Sequence, residues 1–320
     1  MNESKPSGNL TKGDIISFVA LLLMGVLVFF GMNFMTLGDR IPSLVVAILT
    51  VVLMTVFVFL AAYAKAQERD RSTWRIVQYA LLTLYLIGLI PCYIFTAKFF
   101  DVQVDKEKIM SEVHSDIDGL NRLFSDYSSK CEQRASAYQI DLEAMLTTPE
   151  GKARIAELIG SDDPSEISQE SVNQAVSSFS KMLKGSEYTY LVNQKNSLVK
   201  NCEKNFDNWN MLDIPKYALE LGSARDEFAV KLEEIYSKAH NNFETEVPEF
   251  DTESDTDEGT IVDTFKSVGS FSLFGLLAVL FLGIMGSVSY ILGKKSDNIS
   301  MQYKDPSAIN EDQGFDTHNF

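Results

Sequence analysis

The sequence predicts an all-α membrane protein: four transmembrane helices with a large helical-bundle, coiled-coil-like domain inserted between the third and fourth spans. Four apolar windows each hold at least 20 residues without a charge, the length a bilayer core demands. Between the third and fourth windows, apolar residues recur at helical spacing over a long stretch. The charge is segregated as well. Of 28 Lys+Arg and 44 Asp+Glu, residues 101–262 hold 16 and 33, a net of −17, leaving 12 and 11 for the rest. The mean hydropathy of −0.01 is an average of two opposites.

Residues 1–14 read as a short cytoplasmic leader, and residues 15–97 as three transmembrane helices. The first window, 15–37, is longer than the ~7–15-residue core of a signal peptide and lacks a small-x-small cleavage site. It therefore reads as an uncleaved span, with Thr11 and Asp14 fitting a capping box at its start. The second window, 41–64, opens with Pro42 in its first turn, where a missing N–H costs nothing. The third, 76–97, carries Gly88 and Pro91, which predict a kink inside the membrane. With the N-terminus inside, the inner ends hold nine Lys and Arg and the outer ends only Arg40, Lys98 and Lys266. That bias predicts cytoplasmic termini and an extracytoplasmic large domain.

Residues 101–243 read as that domain, an acidic bundle. A 3-4 alternation runs Met110, Val113, Ile117, Leu120, Phe124, Tyr127, Cys131, Arg134, Tyr138, Asp141, Met145, broken only by Arg134 and Asp141. A second stripe is Leu191, Leu198, Cys202, Phe206, Trp209, with Lys195 as its one break. A third runs Leu221, Ala224, Phe228, Leu232, Ile235, Ala239, Phe243, after a start signal at Asp213 and Pro215. Shorter helices are expected over 149–159 and 168–184. No Gly or Pro separates Cys92 from Asp118, so the third span is expected to run unbroken into the first domain helix, as far as Thr147. Residues 244–262 read as an acidic flexible tether, 268–292 as the fourth span and 296–320 as a disordered cytoplasmic tail. Gly275, Gly283 and Ser287 set small residues along one face of the fourth span, a pattern suited to close helix packing.

For chemistry the sequence offers little. A net charge of −16 argues against a nucleic-acid surface. The acidic run 251–259 resembles a calcium loop, yet the places that need Gly and Glu hold Thr256 and Val262, so a solvated linker is expected. His114, His240 and His318 lack spaced ligands or nucleophiles, and phosphate-loop, dinucleotide, nucleophile-elbow and zinc-protease motifs are all missing. No cofactor, metal or catalytic residue is expected. Cys131 and Cys202 lie on apolar seams: an extracytoplasmic compartment permits a disulfide between them, and two buried thiols fit the seams equally well. The spans lack an intramembrane charge, which counts against an ion-driven motor or transporter acting alone. The expected role is a non-enzymatic anchor or scaffold in a cell-envelope assembly, held in the lipid bilayer with a protein partner or as a homo-oligomer. The alternative is an extracytoplasmic sensor subunit signalling through the third span.

Overall fold

The computed structural model of the chain describes residues 12–67, 72–239, 250, 261–266 and 271–293. Regular structure among the described residues is all helical: α1 (Lys12–Met35), α2 (Arg40–Gln67), α3 (Ser72–Val104), α4 (Lys106–Met145), α5 (Pro149–Ile159), a 3-10 turn (Pro164–Glu166), α6 (Gln169–Leu183), α7 (Ser186–Asp207), α8 (Ile214–Lys238), α9 (Ile261–Lys266), α10 (Leu273–Gly286) and α11 (Val288–Leu292). Four stretches are long and apolar enough to cross a membrane: Lys12–Met35, Arg40–Lys65, Thr73–Val104 and Leu273–Leu292. The leader through Thr11, the bulk of the acidic tether and the C-terminal tail lie outside the described residues. So do residues 268–270, where the fourth span was expected to begin.

The chain divides into two compact units. One comprises residues 1–32, 41–101 and 269–320; the other comprises 33–40 and 102–268.

In the first unit, small residues let helices approach closely. A Cβ added at Gly31 would lie 1.8 Å from the Phe95 carbonyl oxygen, so α1 and α3 touch backbone to backbone. Gly275 meets α3 at Ala97 and Gly283 meets it at Leu89. Ser287 behaves differently from the sequence expectation. It ends α10, and its hydroxyl donates to the Ile284 carbonyl at 2.8 Å. The next close approach belongs to Gly286, against Tyr85 and Leu21. Within α3, the helix continues through Pro91, and the Cys92 thiol donates to the Gly88 carbonyl at 3.1 Å. Polar groups tie the ends of α1, α2 and α11. Ser289 donates through its hydroxyl to Asp14 and through its N–H to Ser17 Oγ at 2.7 Å, while Lys65 donates to the Tyr290 carbonyl at 2.8 Å. Lys98, counted above among interfacial charges, is only 3% exposed.

The second unit is built on α4, which packs against α5, α6, α7, α8 and α9. Its buried stripe runs from Ile109 through Tyr127 to Leu142. Nine steps cover 33 residues, about 3.7 per step, nearer a straight helix's 3.6 than a heptad's 3.5. The stripe therefore passes through Leu142, leaving Met110, Asp141 and Met145 half-buried at its edge. Phe124 packs edge-on against Phe228, and Tyr138 lies 4.9 Å from Phe179. Thr148 caps α5 by accepting the Gly151 N–H at 3.1 Å, and Gly160 closes it in the left-handed conformation.

Two expectations about the ends of this unit are corrected. The unbroken helix to Thr147 is interrupted at Asp105, whose ψ of 12° leaves the α-helical range. The supposed loose tether is fastened at both places where it is described. Phe250 is buried between Tyr127 and Tyr236, at ring distances of 5.3 and 5.8 Å. Ile261 and Val262 belong to α9, which is docked on α4 and α8. Phe250 meets α4 at Tyr127 and α9 meets it at Glu112, some 15 residues or about 22 Å apart along the helix.

Candidate functional site

The surface of the second unit offers one groove of note, an open hollow of about 410 Å³ between α4 and α7. Helical spacing on α4 aligns Asn121, Phe124, Ser125, Ser128, Ser129 and Glu132 along one wall, and α7 supplies Tyr188, Val192 and Lys195. Lys195 spans the hollow, donating to Asn121 Oδ1 at 2.9 Å with its ammonium 5.5 Å from the Phe124 ring centroid. At the other end, Lys184 donates to Ser128 at 2.7 Å and to Glu132 at 2.8 Å. That hydrogen bond and charge hold the Glu132 carboxyl below its ordinary range. The lining thus presents hydroxyls, an amide, a carboxylate and an ammonium above an aromatic floor. Such a set binds polar ligands by hydrogen bonding. It places no imidazole beside its serines, and His114 Nδ1 instead donates to the Met110 carbonyl, 2.7 Å away, on the exposed face of α4.

A second constellation lies where the α1–α2 turn meets the α7–α8 turn. Asn33 is fully buried and directs its amide toward the carbonyls of Met211 and Leu212. Arg40 pairs with Asp213 at 2.5 Å, and Asp213 also accepts from Asn210 at 2.7 Å. Asp213 is the α8 start signal read from the sequence, yet its carboxylate makes no cap bond and serves this ion pair instead. Leu37 at φ 52° and Trp209 at φ 48° take left-handed conformations, each costing about 1 kcal/mol for a side chain with a Cβ. Trp209 donates to Gln103 at 3.0 Å, and Lys106 lies 5.0 Å from its ring centroid. The indole therefore sits beside the break at Asp105, touching the last turn of α3 and the first of α4. Trp209 was expected on the α7 stripe; it is half-buried and past the helix end.

Sequence reasoning missed the part played by Arg134. Its guanidinium is 2% exposed and donates to the Tyr236 and Ala239 carbonyls at the C-terminus of α8. The rings of Tyr236 and Phe179 lie 4.7 and 5.3 Å from its central carbon. A cation here satisfies carbonyls that a helix end leaves open. The signal in the sequence was a lone arginine interrupting an apolar seam.

The cysteines are corrected in one respect. Cys131 and Cys202 are separate, free and buried, so the structure does not form the disulfide their seams permitted. Cys131 is beside Tyr127 and Lys184, whereas the Cys202 thiol points to the Tyr217 carbonyl on α8. Burial raises both thiols above their ordinary range, Cys202 to about 12 with further help from Glu220 and Glu203. Both are thus protonated and poorly nucleophilic at neutral pH. Among the described residues no group of His, Cys, Asp and Glu is arranged to hold a metal ion. Compared with known family models, characterised proteins and solved structures, the chain matches none.

Proposed function

We propose that this protein is a non-enzymatic membrane anchor or scaffold. Four spans hold it in the bilayer, and the helices of residues 101–243 form an extracytoplasmic bundle that engages a protein partner or a second copy in a cell-envelope assembly. The observation that carries this reading is the filling of the helical unit. Tyr127, Leu142, Leu183, Phe206 and Leu232 are 0–1% exposed and close the interior with the protein's own side chains. Recognition then falls to an outer surface, and residues 101–243, with 16 Lys+Arg against 25 Asp+Glu, a net of −9, favour a basic partner. Purification in mild detergent with in-cell crosslinking tests the reading. A discrete hetero- or homo-oligomer is expected, and a clean monomer without crosslinks overturns it. For the topology, a Lys181→Cys variant should react with a membrane-impermeant thiol reagent in intact cells; protection would place the domain on the other side.

The groove between α4 and α7 favours a second reading, an extracytoplasmic sensor subunit. Its hydroxyls, Asn121 and Lys195 would take a small polar ligand, and a partner would carry the output. A ligand-induced rise in thermal stability that is lost in Lys195→Ala separates this reading from the scaffold.

A further inference from the structure

The groove between α4 and α7 is long and open. Asn121 and Glu132 mark its ends on α4, eleven residues apart, or about 16 Å along the helix. The facing wall runs antiparallel: Lys195 reaches Asn121 at one end, and Lys184, just ahead of α7, reaches Ser128 and Glu132 at the other. A hollow of about 410 Å³ drawn out over this length suits a short chain of rings better than one compact metabolite.

The charges of the groove are already matched. Lys184 holds Glu132 at 2.8 Å, and the Lys195 ammonium rests on the Asn121 carbonyl oxygen and over the Phe124 ring. An incoming anion would meet the field of an acidic unit, and an incoming cation would compete with Lys184 for Glu132. What the groove leaves unspent is neutral. Among the described residues none hydrogen-bonds the hydroxyls of Ser125, Ser129 or Tyr188. A hydroxyl donates and accepts, so these three can meet another hydroxyl in either sense. Ser125 and Ser129 stand one turn apart on α4, and the antiparallel register sets Tyr188 opposite them. The Tyr188 ring is braced, stacking on Tyr127 at 5.2 Å and lying 6.3 Å from Phe124, while its remaining surface lines the groove. A rigid aromatic surface beside free hydroxyls complements a sugar ring, which presents an apolar C–H face and a rim of hydroxyls.

We propose that the α4–α7 groove binds a short neutral saccharide, with one ring stacked on Tyr188 and its hydroxyls bonded to Ser125 and Ser129. Farther along the chain, the Lys195 ammonium donates to one sugar hydroxyl and the Glu132 carboxylate accepts from another. The proposal rests on the sensor reading, which makes this groove a ligand site, and names the class of ligand it takes.

The test is binding to the full-length protein in phosphatidylcholine nanodiscs, since maltoside and glucoside detergents would themselves compete. Maltotriose, cellotriose and chitotriose at millimolar concentration form one arm. Free amino acids and inorganic phosphate form the other. Each is read by saturation-transfer NMR and by the shift in the thermal unfolding midpoint. At least one trisaccharide should bind, and Ser125→Leu and Lys195→Ala should each weaken it by about tenfold. Ser125 is exposed and leucine is a good helix former, so Ser125→Leu obstructs the groove without disturbing the helix. Lys200→Ala, exposed on the same helix as Lys195 but outside the groove, should leave the affinity unchanged. A trisaccharide that binds Ser125→Leu and Lys195→Ala as tightly as the wild type is held elsewhere and overturns the proposal. Binding of an amino acid or phosphate alone, lost in Lys195→Ala, overturns the saccharide and leaves the sensor reading standing. Binding in neither arm overturns both.

Discussion

The two units turn their side chains in opposite senses. In the four-span unit, Ile41, Leu86, Phe281 and Ile284 face outward at 61–77% exposure, while Gly31, Ser17, Gly275 and Gly286 line the contacts between helices. In the helical unit, Tyr127, Phe179, Phe206 and Leu232 face inward, and among the described residues the charges other than Arg134 are at least partly exposed. Lipid is as apolar as leucine, so burying a large side chain gains little within a bilayer and close backbone packing decides which helices touch. In water the gain comes from apolar area, and bulky aromatic residues supply most of it. The same chain therefore packs its four long apolar helices through glycine and its helical unit through tyrosine.

Mutations that attack one style of packing should spare the other. The largest expected effect is Tyr127→Ala, which empties a fully buried site and leaves the Leu183 carbonyl without its 2.7 Å donor. Equilibrium denaturation of the helical unit should show a loss of about 3–5 kcal/mol. Gly31→Leu comes next. It forces α1 from α3 and should cost the spans about 3 kcal/mol, seen as an earlier thermal transition in detergent with the helical unit's urea midpoint unchanged. Arg134→Met should destabilise by about 2 kcal/mol by leaving two α8 carbonyls unpaired, and hydrogen exchange should rise first at the end of α8. Arg134→Lys should not restore it, because an ammonium lacks the planar fork. Thr148→Ala removes one cap bond and should cost about 1 kcal/mol, read as a small shift of the urea midpoint. Ile284→Leu, on the outward face of α10, should change stability by less than about 0.5 kcal/mol. A large effect there would mean that this face is covered by another protein.

Much of the architecture was legible because it is local. The helices expected over 149–159 and 168–184 are found at Pro149–Ile159 and Gln169–Leu183, since Thr148, Gly160 and the Ser168 capping box mark their ends. The break at Asp105 was not legible. Nothing near it disfavours a helix; it is accompanied by Trp209, more than a hundred residues away, which bonds Gln103 and stacks under Lys106. Helix α9 was missed for a related reason. Six residues carry too short a period to register, and Ile261 and Phe265 gain their meaning only from Phe34 and Gly222. Of the candidate groove, Phe124 was read only as part of a seam and Lys195 only as the break in a stripe, because the serines and Asn121 lie on the polar side of a stripe read for its apolar side.

The chain contains two tryptophans, Trp74 and Trp209. Replacing Trp74 with Phe would leave Trp209 as an intrinsic optical probe, its indole N–H engaged by Gln103 and its ring under the ammonium of Lys106. Its emission maximum and quenching would then follow the junction of α3 and α4 in real time, without any label, as pH, lipid or a binding protein is varied.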